Sequence, residues 1–320
     1  MYDRTNSRPV IPNSTSVREA RSRAAKMFVV FGNESARTST AVVLGGGGAT
    51  GVAWLAGVVH GLFDEGVDLR TADLVVGTSA GSVVGSWLAT GVPFEDLEAR
   101  VLNDTGILAA EAMSAIDVAT LMNVFTAWDK LPDATPASLA RVGNAAKLAT
   151  TVSLARFREL IDPELPQAWP STEFLTTAVD ADSGEFVVLS SSSGVRLADA
   201  VASSICVPGI FPPVPVNGRL LVDGGLRSGT SADLAAGYDN VVVIAPIGSR
   251  SDGMDPLAGR MTAFEVHQLE AAGATCTLLF PDDAANDVIG INRMDATISA
   301  VVVAEGRRQG RALAATITWS

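Results

Sequence analysis

From residue 41 onward the chain alternates short, wholly apolar runs with longer stretches of helical spacing. Residues 41–44 form an apolar run that halts at four glycines, and helical periodicity follows over 52–65. Residues 74–76 read as a second buried strand and 82–90 as the helix after it. Further strands are expected at 174–179, 186–189, 220–222, 241–245 and 275–280, and further helices at 197–203, 263–272 and 297–315. Apolar runs without polar alternation suit strands buried on both faces. Their interleaving with helices predicts an α/β fold with a mainly parallel sheet covered on both sides. The middle of the chain, 105–170, is rich in Ala, Leu and Thr, reads as helical and carries no recognisable motif. A helical insert capping a site and plain packing suit it equally.

Residues 1–39 depart from this pattern. They hold seven basic residues (Arg4, Arg8, Arg18, Arg21, Arg23, Lys26, Arg37) against three acids (Asp3, Glu19, Glu34). The first fifteen are polar and include Pro9 and Pro12. A poorly ordered leader is expected, with one short helix conceivable over 17–31. A membrane-touching or partner-binding arm is the other reading of its charge. The domain proper would then be 40–320.

Composition narrows the function classes. Of 320 residues, 48% are hydrophobic and 18% charged, which supplies a large core and excludes a disordered chain. The net charge of −12 disfavours a nucleic-acid partner, which needs a basic face, and tight docking on anionic lipid. No apolar run approaches the roughly 20 residues of a spanning helix, and 27–31 is too short for a secretory core. A cytoplasmic location is the expectation. The two cysteines, Cys206 and Cys276, offer no disulfide framework or zinc cluster. Only His60 and His267 could supply an imidazole.

Two glycine-rich turns carry the candidate chemistry. Gly46-Gly47-Gly48-Ala49-Thr50-Gly51 satisfies GxGxxG between a strand and a helix. A dinucleotide site would also need an acid at the far end of the second strand, and Asp73 stands at the near end. Glycines and a helix N-terminus gather N–H groups that stabilise a phosphate or an oxyanion equally well. Gly77-Thr78-Ser79-Ala80-Gly81 is a GxSxG turn in the required setting of strand, turn and helix. It would expose Ser79 and aim the N–H of Ala80 into the same site. Ser79 then needs a base. His267 follows it in the order of a Ser-Asp-His triad but falls in a helical segment, and His60 is expected on the surface of the first helix. Asp223, ending an apolar run and opening Asp223-Gly224-Gly225, is the other candidate, although such a turn is also common without function.

Taken together, these stretches resemble the patatin-like phospholipase family. The glycine run resembles that family's GGGxRG oxyanion loop, Gly77–Gly81 its nucleophile elbow and Asp223-Gly224-Gly225 its DGG aspartate. Residues 202–213 resemble the stretch before that aspartate, and 176–180 with Gly184-Glu185 a central strand and turn. The likeness covers roughly 41–247. It implies a three-layer α/β/α sandwich and a Ser–Asp dyad without histidine, with Ser79 as nucleophile and Asp223 as general base. The N–H groups of Gly46, Gly47, Gly48 and Ala80 would hold the oxyanion, with Gly51, Gly77, Gly81, Gly224 and Gly225 flanking. The implied substrates are acyl esters of lipids, met in solution or by transient contact with a membrane surface, and no metal or cofactor is needed. An acyltransferase with the same dyad and a non-catalytic lipid- or partner-binding protein are the alternatives. Two departures stand out. Thr50 occupies the place of the family's Arg or Lys, and Leu226-Arg227-Ser228 follows the aspartate where the family often has Asn and Pro. Arg227 could replace the lost charge or be a solvated turn residue.

Overall fold

The computed structural model describes residues 38–104, 106–248 and 257–319. The N-terminal leader and its conceivable helix lie outside the described residues, apart from Thr38 and Ser39. In chain order the main elements are β1 (Thr40–Leu44), α1 (Gly48–Asp64), β2 (Leu74–Gly77), α2 (Ala80–Ala89), α3 (Phe94–Asn103), α4 (Ile107–Ala115), α5 (Val118–Asp129), α6 (Pro136–Ala146) and α7 (Leu154–Ile161). They continue with β3 (Glu173–Asp180), β4 (Phe186–Leu189), α8 (Leu197–Ile205), β5 (Val214–Val216), β6 (Arg219–Asp223), β7 (Asn240–Ile244), α9 (Leu257–Ala271), β8 (Thr275–Leu279), α10 (Asp283–Ile289) and α11 (Ser299–Leu313).

The strands form one sheet in the order β5-β6-β3-β2-β1-β7-β8, with β4 also paired to β3. The pairs β1–β2, β1–β7, β2–β3 and β7–β8 are parallel, and those of β3 with β4, β3 with β6 and β5 with β6 are antiparallel. The centre is sealed on both faces, which explains the unbroken apolar runs. Val42, Leu44, Val75, Val242 and Ile244 pack under α1, α2 and α11. Their neighbours Ala41, Val43, Leu74, Val76, Val241 and Val243 pack under Ala232, Ala235, Val266 and Leu269. This is the expected three-layer α/β/α sandwich. The helices α4–α7 lie over smaller apolar clusters at the β3–β6 side, where Val124, Leu139 and Val142 meet Val179 and Val222. Among the described residues no single helix is long and apolar enough to cross a membrane.

Helix α1 is held against α11 by backbone contact rather than by large side chains. A Cβ at Gly57 would overlap the Val303 carbonyl, and one at Gly61 the Arg307 carbonyl; Gly306 and Gly310 lie in the same way against Trp54 and Val58 of α1. Trp54 Nε1 donates to the buried Gln309 Oε1 at 3.1 Å and ties the seam. His60, expected at the surface, is instead buried in it at 2% exposure. Its Nδ1 lies 2.8 Å from Glu98 Oε1, and Asp64 and Arg307 complete the cluster. Periodicity placed His60 on a helix but did not show that a C-terminal helix covers that face. Because α1 begins at Gly48, this seam also fixes where the glycine loop stands.

Gly57→Ala is therefore expected to lower unfolding free energy by about 1–3 kcal/mol through overpacking. Urea denaturation checks this; an unchanged midpoint would contradict the seam.

Candidate active site

Strand β2 and strand β6 approach each other end to end along β3. β2 runs parallel to β3 and brings Gly77 opposite Thr176, while β6 runs antiparallel and brings Asp223 opposite Ala178. The two ends converge on Thr177. Thr78 Oγ1 lies 2.8 Å from Thr177 Oγ1, and a Cβ at Gly224 would overlap that same hydroxyl. The register of three strands thus places Ser79 beside Asp223, although 144 positions separate them in sequence.

Ser79 occupies the sharp turn into α2 with φ 52° and ψ −123°. This is a sparsely populated backbone region for a non-glycine residue and persists only where its surroundings hold it. They do so at several points. The Ser79 N–H donates to Ser204 Oγ at 3.0 Å, and Ser82 Oγ donates to the Ser79 carbonyl at 2.7 Å. Thr78 N–H donates to the Leu44 carbonyl at 3.0 Å. Space explains the flanking glycines: a Cβ at Gly81 would overlap the Leu44 carbonyl, and one at Gly77 would come 2.5 Å from Ser82 Cα.

Asp223 is 1% exposed. Its Oδ1 accepts the Gly225 N–H at 2.7 Å, and the Ser79 side chain is near enough to favour its ionised form. Burial pushes its pKa up to about 7, against the smaller lowering by Ser79 and the Gly225 N–H. Its own N–H donates to the Cys206 carbonyl at 3.1 Å, so the 202–213 stretch positions the acid. Neither histidine lines the cleft at Ser79. His60 lies in the α1 seam, and His267 is exposed on α9.

The glycine loop packs directly on the serine: a Cβ at Gly46 would lie 3.1 Å from Ser79 Cβ. Gly48 has φ +65°, a left-handed conformation that opens α1 and suits glycine. Of the four expected oxyanion donors, Gly46 is committed elsewhere, since its N–H donates to the Gly229 carbonyl at 2.9 Å. This corrects the expectation for that residue. It is a structural link, invisible in a motif that records residue types but not where each N–H points. Among the described residues no acceptor takes the N–H groups of Gly47, Gly48 or Ala80. The last two open α1 and α2, so two positive helix ends meet at Ser79. Gly51 brings the first turns of these helices together, where a Cβ would make ordinary contact with Ala80 Cβ at 3.4 Å.

A cleft of about 380 Å³ opens from Ser79, Gly48 and Ala80. Val52, Val83, Trp87, Ile205, Val207 and Phe211 give it apolar walls, and Ile107, Leu108, Leu160 and Ile161 close it from the middle of the chain. Arg100, Asn103, Asp104 and Glu164 add polar groups to its lining.

Neither expectation for Arg227 holds. It is 7% exposed, paired with Asp233 at 2.8 and 2.9 Å and stacked on Phe186 at 4.1 Å, so it is neither a solvated turn residue nor free beside the glycine loop. Thr50 is fully buried; its N–H donates to the Arg293 carbonyl at 3.1 Å. The loop before α11 therefore covers position 50, a contact across 243 residues that no local pattern announces. Ser204 and Thr177 were also not singled out as supports, because short hydroxyl residues inside apolar segments give no sequence signal.

A sequence profile of the patatin-like phospholipase family matches residues 42–236, more than half of the chain. The chain belongs to that family. It is 24% identical over 222 residues to lysophospholipase nte1 of Aspergillus niger, covering 69% of this chain and 12% of that protein. It is 29% identical over 219 residues to an uncharacterized NTE family protein of Mycobacterium tuberculosis, covering 68% and 31%. With patatin-like phospholipase domain-containing protein 7 of Mus musculus it shares 28% identity over 258 residues, covering 79% and 16%. The chain thus spans less than a third of the length of these curated relatives. Among solved structures, VipD from Legionella pneumophila aligns at a TM-score of 0.42 with 15% identity, covering 88% of this chain and 67% of that one.

Asp223 binds its proton more tightly in the folded than in the unfolded chain, where its pKa is near 3.8. Its ionisation therefore opposes folding as pH rises from about 4 to about 7 and adds no further cost above that. Removing the acid should help most at high pH. Asp223→Asn, relative to wild type, is expected to gain stability between pH 4 and 7, on the order of a few kcal/mol, and to level off above. Chemical denaturation across this range tests it; a pH-independent difference would contradict the raised pKa.

Proposed function

We propose that the protein is a lipid acyl hydrolase of the phospholipase A, lysophospholipase or carboxylesterase type, working through a Ser79–Asp223 dyad and an acyl-enzyme intermediate. The observation that carries this reading is the strand register that brings a strained turn serine together with a buried carboxylate whose pKa is raised to about 7. A carboxylate of ordinary pKa is a weak base toward a hydroxyl; one raised toward neutrality is matched to the task. In this reading Asp223 accepts the Ser79 proton as Oγ attacks the ester carbonyl. The oxyanion is held by the N–H groups of Gly47, Gly48 and Ala80, each contributing roughly 3–4 kcal/mol if it behaves as oxyanion donors do elsewhere. Protonated Asp223 then returns its proton to the departing alcohol. A water deprotonated by the same carboxylate attacks the acyl-enzyme, releases the fatty acid and restores Ser79.

The apolar cleft supports an acyl chain as the occupant beside Ser79, and the lysophospholipase and phospholipase names of the relatives agree with a lipid ester. Residues 105–170 then serve as a cap, since Ile107, Leu108, Leu160 and Ile161 close the cleft. Transient contact with a lipid surface belongs to the same reading: Ile107, Met113, Val118 and Met122 are exposed on α4 and α5, and α4 also lines the cleft. Acyl transfer differs from hydrolysis only in the acceptor, and product analysis separates them.

Ser79→Ala is expected to abolish hydrolysis of p-nitrophenyl esters while thermal unfolding is preserved, and a fluorophosphonate probe should label wild type but not the variant. Undiminished hydrolysis would remove Ser79 as nucleophile. A folded wild-type protein that neither hydrolyses esters nor takes the probe would point to a binding protein. For wild type, kcat/KM should rise with pH as the base loses its proton, with a midpoint near 7. In Leu160→Trp, kcat/KM for a palmitoyl ester should fall relative to that for an acetyl ester; equal effects on both would contradict the acyl assignment of the cleft.

A further inference from the structure

The proposed chemistry leaves one buried carboxylate unused. Glu265, on α9, is 1% exposed. Its Oε2 accepts three hydrogen bonds: from Ser228 Oγ at 2.9 Å, Thr230 Oγ1 at 3.2 Å and the Ala232 N–H at 2.8 Å. Its Oε1 lies 3.7 Å from Arg227 Nη1. All four partners sit on the segment that leaves Asp223. From the same helix, Thr262 Oγ1 lies 3.1 Å from Thr230 Oγ1.

The inner side of that segment is fastened to both loops of the site. The Gly229 carbonyl accepts the Gly46 N–H at 2.9 Å, and the Thr230 carbonyl accepts Thr78 Oγ1 at 3.2 Å. A Cβ at Gly45 would come 2.9 Å from the Gly229 carbonyl, so the two backbones are in direct contact. The segment is itself strained. Ser231 has φ 55°, a left-handed conformation that is strained for a non-glycine residue and needs support. That support is the Ser231 N–H on Ser228 Oγ at 2.9 Å and the Ala232 N–H on Glu265.

An apolar side chain at position 265 would join α9 to the sheet without the desolvation cost of a buried acid. What a carboxyl oxygen adds is one acceptor on which three donors of a bent loop converge. We propose that Glu265 is a positioning residue for the reaction. Through residues 228–232 it sets the placement of Gly46 and Thr78, and thereby the oxyanion donors and Ser79 relative to Asp223. The proposal rests on the reading of Ser79 and Asp223 as the dyad.

Burial and the neighbouring Asp233 raise the Glu265 pKa, which favours a neutral side chain in this pocket. Glutamine reproduces that shape and can set its oxygen where Oε2 stands. The test is steady-state hydrolysis of p-nitrophenyl butyrate by wild type, Glu265→Ala, Glu265→Gln and Ser228→Ala, with Ser79→Ala as reference. Glu265→Ala is expected to lower kcat by about tenfold or more with KM within about twofold, since misplacing reacting groups affects turnover rather than substrate binding. None of the residues from 227 to 232, nor Glu265, lines the cleft. Glu265→Gln should restore at least about half of wild-type kcat, and fluorophosphonate labelling of Ser79 should slow in Glu265→Ala in parallel with kcat. Thermal unfolding reports whether Glu265→Ala is folded. If it is not, Ser228→Ala decides: a fall in kcat of about threefold or more at constant KM supports the role, and wild-type kcat overturns it. A folded Glu265→Ala with wild-type kcat, a glutamine variant as impaired as alanine, or a rise in KM alone overturns it as well. Activity surviving in Ser79→Ala would instead overturn the dyad, a result readable independently of position 265.

Discussion

The arrangement depends on keeping a carboxylate out of water without giving it a cation. Asp223 is closed in by β3, the Cys206 turn and the glycine after it, and among the described residues no basic side chain pairs with it. An arginine at that spot would stabilise the anion, lower its pKa and remove its appetite for a proton. The sequence places basic groups nearby in the chain, but the fold diverts them: Arg227 turns to Asp233 and Phe186. The acid is left with one N–H donor, that of Gly225, and with the Ser79 side chain as its polar neighbour.

Geometry at this point is assembled from far apart. β2 delivers the serine and β6 the acid, and β3 sets their separation by register alone. The glycine loop is placed by a different device, the close α1–α11 seam, because α1 starts within that loop. The segment after Asp223 joins the two through Gly229 and Thr230. Mobility in any one of these would be felt by the others, because the hydrogen bonds across the loops join buried residues.

The parts legible in sequence were those governed by local rules. Parallel strands sealed on both faces leave unbroken apolar runs, so β1, β2, β3 and β7 could be read directly. The turn carrying Ser79 needs small neighbours on both sides, and its glycines announced it. β5 escaped notice because Val214-Pro215-Val216 is three residues long with an exposed proline, which is tolerated at a sheet edge and resembles a loop. The first helix was expected to begin at 52, since glycines are poor helix formers; it begins at Gly48, where the turn geometry that favours glycine outweighs propensity. Gly46 was expected to donate to an oxyanion and instead donates to Gly229, because a motif does not encode the direction of each peptide. Glu265 and Arg293 carry no signal at all, since what they touch lies tens to hundreds of residues away.

The order in which the chain is made has its own bearing on this site. A nascent polypeptide that has emerged as far as α7 already contains Ser79 and the glycine loop, yet none of β3, β6 or the acid. The serine at that stage has no proton acceptor and its turn lacks Thr177, Ser204 and Thr230 to brace it. Synthesis must pass β6 before the pair can meet and α11 before the first helix is clamped. Any reactivity of this hydroxyl is therefore acquired only after β6 and α11 have followed it out of the ribosome.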